Sequence, residues 1–253
     1  MASDVIASDF QYNMGRWSFG SRAFSGAITD EGLLENDPTI SSQYMPARLG
    51  LMQGAQSNIS WNGDKFNFTT SVGSVYESDT LLGAQTGGLL NLGNGNTTYI
   101  DTELKYKPTE NISLTMRSTF AHTTSDASGE FILGMSDIES NAFAFGAEIG
   151  NFSFGISAPL AVTSGSMQYA YADYESVENE DGNFDLVVKD THIENLALSP
   201  EAREVRFMGQ YRHSLGAWTD AALGFIYRVN PNHTKEFGNE SIFMMKVSHR
   251  LGI

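Results

Sequence analysis

Residues 241–253 alternate along their whole length. Phe243, Met245, Val247, His249, Leu251 and Ile253 fall on one side, and Met244, Lys246, Ser248, Arg250 and Gly252 on the other. A period of two predicts a strand, with one face for an apolar environment and one for water. The pattern recurs upstream. Phe66, Phe68, Thr70, Val72 and Tyr76 alternate with Asn67, Thr69, Ser71 and Gly73. Ile100, Thr102, Leu104 and Tyr106 oppose Asp101, Glu103, Lys105 and Lys107. Ile112, Leu114, Met116 and Phe120 oppose Ser113, Thr115, Arg117 and Thr119. Val205, Phe207, Gly209 and Tyr211 oppose Glu204, Arg206, Met208, Gln210 and Arg212.

Ten such segments can be drawn, at 7–20, 47–61, 65–77, 96–107, 111–123, 138–149, 151–174, 183–213, 217–228 and 241–253. Repeated segments of this length, with turn residues between them, predict an all-β fold: an antiparallel transmembrane β-barrel with an even number of strands. The ten-strand count keeps 159–200 as a long extracellular hairpin with an acidic tip at Glu175, Glu178, Glu180 and Asp181. Breaking the two longest segments near Thr163 and Ser199 gives twelve strands instead. The chain reads as one domain over 1–253, with 1–7 as a lead-in.

Connections alternate in length. Those at 62–64, 108–110, 150–151 and 214–216 are short, and those at 20–43, 78–95, 124–137, 159–200 and 229–240 are long. Outer-membrane barrels show this asymmetry, with short periplasmic turns and long extracellular loops. The charges sort too. Lys105, Lys107, Arg117, Arg206, Arg212, Arg228, Lys246 and Arg250 share the polar sides with Asp101, Glu103 and Glu148. They predict an ion-pair ladder in a lumen, because Arg or Lys facing lipid costs about 2–4 kcal/mol at the midplane. Tyr12, Trp17, Trp61, Tyr76, Tyr106, Tyr211, Trp218 and Tyr227 lie near segment ends, where interfacial girdles place aromatics.

Fifteen Lys and Arg against thirty Asp and Glu give a formal charge of −15, which argues against nucleic acid as a partner. There is no cysteine, hence no disulfide or thiol chemistry. No run reaches the ~18 apolar residues of a membrane helix. Residues 1–10 lack the basic and apolar regions of a signal peptide, so an exported form is expected to be a mature piece or a fragment. His122, His192, His213, His233 and His249 show no metal-ligand spacing, there is no G-x-S-x-G elbow, and no cofactor is expected. A barrel-embedded hydrolase, using His192 or His233 at the rim, is the least favoured alternative.

The stretches ILGMSDIESNAFAFG (132–146), FGISAPLAVTSGS (154–166), LALSPEAREVRFMGQYRHSL (196–215) and ALGFIYRVNPNH (222–233) resemble the C-terminal barrel that follows subtilisin-like serine protease domains in bacterial autotransporter-type proteins. The resemblance runs from about residue 93 onward. It implies a non-catalytic anchor or translocator in the bacterial outer membrane. Its partners would be outer-membrane lipids, the barrel assembly machinery and a covalently attached N-terminal passenger such as a subtilisin-like protease. It implies a monomer. Phe243, Met245, Val247, Leu251 and Ile253 would form the C-terminal insertion strand. The chain departs from the pattern by starting close to its first strand, and by ending in Ile253 where such barrels often end in an aromatic. A free-standing barrel, either a channel or a surface adhesin, is the alternative.

Overall fold

The computed structural model describes residues 2–28, 50–78, 80–81, 84–85, 93–127, 131–178, 181, 183–216 and 218–249. They form antiparallel strands in chain order: β1 (Ala2–Met14), β2 (Trp17–Ile28), β3 (Gly50–Asn62), β4 (Phe66–Glu77), β5 (Thr80–Leu81), β6 (Ala84–Gln85), β7 (Gly95–Thr109), β8 (Ile112–Ser125), β9 (Ile132–Met135), β10 (Ile138–Ile149), β11 (Phe152–Ser164), β12 (Ser166–Glu178), β13 (Phe184–Ala197), β14 (Val205–Gly216), β15 (Thr219–Val229) and β16 (Glu240–His249). One 3-10 turn, Pro231–His233, joins the last two. Among the described residues no helix is long and apolar enough to cross a membrane.

Eleven strands make one sheet in the order β1-β2-β3-β4-β7-β8-β10-β11-β14-β15-β16. Among the described residues the main sheet thus has eleven strands, where alternation suggested ten or twelve. The segment at 7–20 is two strands, because Gly15 turns the chain at φ +62, a left-handed conformation that glycine adopts without a Cβ clash. β2 then runs on to Ile28, into the stretch expected to be loop. Among the described residues no ladder joins β1 to β16, so the ring expected of a barrel is not closed. Eleven strands in antiparallel succession leave these two edges running in the same direction.

The hairpin at 159–200 combines both expectations. The chain does break near Thr163 and Ser199, at Gly165 and at 198–204. Yet β12 and β13 do not enter the main sheet. They form a separate three-stranded lobe with β9, in the order β13-β12-β9, while β11 pairs with β14 only from Phe152 to Ser157. β9 arises from the apolar residues of the supposed polar loop at 124–137.

Register makes the sheet strictly two-sided. Met14, Trp17, Trp61, Phe68, Leu104, Met116, Phe145, Ile156, Phe207 and Tyr227 lie directly opposite one another, strand after strand. One residue away, Asn13, Ser18, Ser60, Thr69, Glu103, Arg117, Ala144, Ser157, Arg206, Arg228 and Glu240 form the matching row on the other face. The apolar face is the open one, with Phe10, Met116, Phe145, Phe154, Leu223 and Phe243 all exposed. The polar face is the crowded one, with Ser18, Ser71 and Ser113 buried. That asymmetry is what a sheet coiled toward its polar side produces. Buried apolar side chains are few and concentrate where the lobe leaves the sheet, at Ala127, Ile132, Ile138, Ala161 and Ala202.

Glycine fits the crowding. A Cβ on Gly73 would sit 2.6 Å from the Tyr99 ring, which lies across β4 so that its hydroxyl donates to Gln56 Oε1 on β3 at 3.0 Å. A Cβ on Gly146, on the same face, would make only an ordinary contact, with its nearest atom at 3.7 Å. Gly73→Ala is expected to expel the ring and cost about 1–3 kcal/mol. Gly146→Ala should cost under about 1 kcal/mol. Denaturant unfolding of the two variants side by side measures the difference.

Candidate functional site

The polar face carries the functional candidates. Register places Asp101, Glu103, Lys105, Arg117, Glu148, Arg206, Arg212, Arg228 and Lys246 on it together. Lys107 falls at the bulge that ends the β7–β8 ladder, where its backbone N–H donates to Lys65 O. Arg250, Leu251 and Ile253 lie outside the described residues. Phe243, Met245 and Val247 lie on the exposed apolar face of β16.

Among the described residues the ion pairs fall into separate clusters. Arg22 Nε meets Asp9 Oδ1 at 2.8 Å. Arg117 Nε meets Asp101 Oδ1 at 3.0 Å, although Glu103 is its direct cross-strand partner; Thr119 Oγ1 donates to the same Asp101 oxygen at 2.6 Å. Arg212 turns to Gln210 Oε1. Lys105, Glu148 and Lys246 make no ion pair among the described residues. Strand spacing explains this: long side chains on one face reach diagonal neighbours as readily as opposite ones.

The third cluster is the densest; its Arg206 and Arg228 were expected on the polar face, but the acid between them was not singled out in the sequence. Glu204 precedes β14, and its side chain is 2% exposed. It accepts from Arg206 Nε at 2.5 Å, Arg228 Nε at 2.8 Å and the Asn232 backbone N–H at 2.8 Å. Arg228 also reaches Glu240 at 2.6 Å. Register sets Arg206 beside Arg228, a like-charge pair that needs an acid between. These contacts, the Arg228 guanidinium foremost, hold the Glu204 carboxyl down to about 2. The carboxylate thereby pins a loop with three strained positions in four residues: Asn230, Asn232 and His233 have φ of 49, 58 and 60 around Pro231. The Glu204 N–H donates to His233 Nδ1 at 3.0 Å.

Arg203, next in sequence, locks the branch point of the lobe. Its Nη1 donates to Asn141 Oδ1 at 2.5 Å, and its Nη2 donates to Asn141 O at 2.8 Å and Pro159 O at 3.1 Å. These carbonyls flank register shifts where β10 and β11 depart from regular pairing.

The histidines are dispersed. His192 meets Asp173 at 3.0 Å and stacks on Tyr171 at 5.1 Å. His122 meets Glu139 at 2.7 Å. His249 meets Thr219 Oγ1 at 2.8 Å. Among the described residues no hydroxyl, imidazole and carboxylate converge in the geometry of a hydrolase; His192 and His233 stand in different parts of the fold. Two recesses open on the polar side. One of about 710 Å³ is lined by Gln11, Arg22, Gln56 and Asn58. One of about 450 Å³ is lined by Glu103, Arg117, Gly146 and Met208. Comparison with protein-family models, curated proteins and solved structures finds no match to this chain.

Glu204 sets a pH dependence. Its carboxyl is lowered from about 4.5 to about 2 in the fold. The stabilisation is therefore complete above pH 4.5 and lost as pH falls from there toward 2. Glu204→Gln should cost about 2–3 kcal/mol near neutral pH and flatten that acid dependence. Thermal unfolding of both forms between pH 2 and 7 reads the effect.

Proposed function

We propose that this chain is the wall of a bacterial outer-membrane β-barrel that anchors an attached passenger, takes part in its export, and carries out no catalysis. The carrying observation is the inverted sidedness: large apolar side chains on the open face and charge clusters on the crowded one. A soluble sheet would bury the apolar face. One in lipid exposes it. Unpaired edges are not tolerated in hydrocarbon, so the proposal requires β1 and β16 to be joined. Because they run in the same direction, closure takes either a parallel ladder or one further antiparallel strand. A ring of that size is wider than the eight-stranded barrels that side chains fill, which leaves room for a polypeptide.

Folding is expected to require detergent or lipid. Refolded protein should migrate differently in a denaturing gel before and after heating. Met116→Arg, on the apolar face, should cost about 2–4 kcal/mol in bilayers, whereas Thr115→Arg, its polar-face neighbour, should be tolerated. Monodisperse folded protein in plain buffer would contradict the membrane reading. For export, the chain is fused behind a signal peptide and a small reporter in an outer-membrane host. Surface protease should remove the reporter; an inserted barrel with a protected reporter would contradict translocation.

The recesses on the polar face favour one second reading, a channel. Steady currents from the purified chain in planar bilayers would support it, and silence would support the anchor.

A further inference from the structure

Among the described residues the lobe ends in a strand paired on one side: β13 pairs with β12 alone, and of its 14 residues all but His192 are exposed. The hydrogen-bond pattern shows which groups point outward. Leu198 N donates to Gly165 O at 3.0 Å, which makes the adjoining Ser166–Ala197 pair a wide one. Alternation along an antiparallel ladder makes Gln168–Asn195, Ala170–Ile193 and Ala172–Thr191 wide as well. Ala170 agrees, since its N–H leaves the hairpin to reach Phe131 O at 2.9 Å. Ile193, Asn195 and Ala197 therefore turn their N–H and C=O groups to the open edge. The Thr191 N–H is taken by Asp190 Oδ1 at 2.8 Å.

This edge is held in shape. Tyr169 and Tyr171 both donate to Glu194, at 3.0 and 2.9 Å, and the rings of Phe131, Tyr169, Tyr171 and His192 stack in series. A preorganised strand loses little entropy on binding. Its side chains alternate: Asp190, His192 and Glu194 on one face, Thr191, Ile193 and Asn195 on the other. Asp173, Glu175 and Glu178 of β12 add acids, and Lys189 is the only Lys or Arg of the two strands.

We propose that the β13 edge captures an extended segment of a partner protein, in which basic residues alternate with β-branched apolar ones, as a fourth strand of the lobe. Main-chain bonds to Ile193, Asn195 and Ala197 supply the pairing. Basic side chains lie beside Glu194 and Asp190, and apolar ones beside Ile193. Charge selects this occupant over a second copy of the chain, whose own acidic lobe and formal charge of −15 would be brought against their like. This goes beyond the anchor reading and does not rest on it.

The test uses the full chain in detergent and a labelled Lys-Val-Lys-Val-Lys-Val-Lys peptide, with a Glu-Val peptide as control, read by fluorescence anisotropy. The basic peptide should bind, and the acidic one should not. Ile193→Pro removes the outward N–H while leaving the bonds to β12, and should weaken binding at least about tenfold. Asp190→Asn with Glu194→Gln should weaken it by a similar factor and reduce its salt dependence. Equal affinity for the two peptides would overturn the proposal. So would unchanged binding in both variants, or a concentration-dependent dimer that Ile193→Pro abolishes while no peptide binds.

Discussion

Everything in this structure depends on keeping one face apolar and the other polar through eleven consecutive strands. A single slip of one residue in any ladder would send every side chain beyond it to the wrong side. None occurs in the main rows: the apolar row from Met14 to Tyr227 and the polar row from Asn13 to Glu240 stay one residue apart throughout. The register shifts within the main sheet lie toward strand ends, as at Ser3/Ile6, Tyr106/Thr109 and Ser214/Gly216, or at the lobe junction. The polar row also holds the small residues Ala144 and Ser157, which leave room for arginines on either side. The apolar row has no charge at all. Hydrophobic burial within the chain cannot account for that row, because its members are largely exposed.

The lobe shows how such a wall is interrupted. β11 leaves β14 after Ser157, and a sheet that parts in this way leaves carbonyls without partners. Arg203 answers two of them, at Asn141 and Pro159. Glu204, beside it, gathers two arginines that register forces together and holds the strained 230–233 turn. Two adjacent residues thus secure the branch point and the 230–233 turn. Buried apolar packing adds to the same place through Ile132 and Ile138. The three-stranded lobe is thus tied to the main sheet by Arg203 and by buried apolar contacts at the branch point.

Most of the wall was legible because alternation of large apolar and polar residues is a strong signal. Ile138–Ile149 appears as expected to the residue. β2 was missed beyond Gly20 because its apolar-face positions are Ser21, Ala23 and Ser25, too small and mixed to reveal a period. The break at Gly15 was readable but was kept inside one segment, because the turn takes only two residues. The lobe was half legible. Both of its breaks could be read, but its separation from the wall is a fact of pairing between distant residues, and no local pattern carries it. The ion pairs among the described residues were not legible for a related reason: a polar face fixes which side a charge lies on, and three-dimensional reach decides its partner. Glu204 sat in plain view on the alternating face, but nothing in one sequence marks a lone acid as the hub of two arginines.

The central claim is the sidedness, and a scan along one strand tests it most directly. The chain has no cysteine, so single cysteines at 113–120 of β8 can each carry a spin label in reconstituted vesicles. Collision with lipid-soluble oxygen and with a water-soluble nickel chelate is measured at every site. The expected result is a period of two, with oxygen access peaking at Leu114, Met116, Ser118 and Phe120 and falling at the positions between. Uniform access to the chelate, or the same alternation in the opposite phase, would contradict the account.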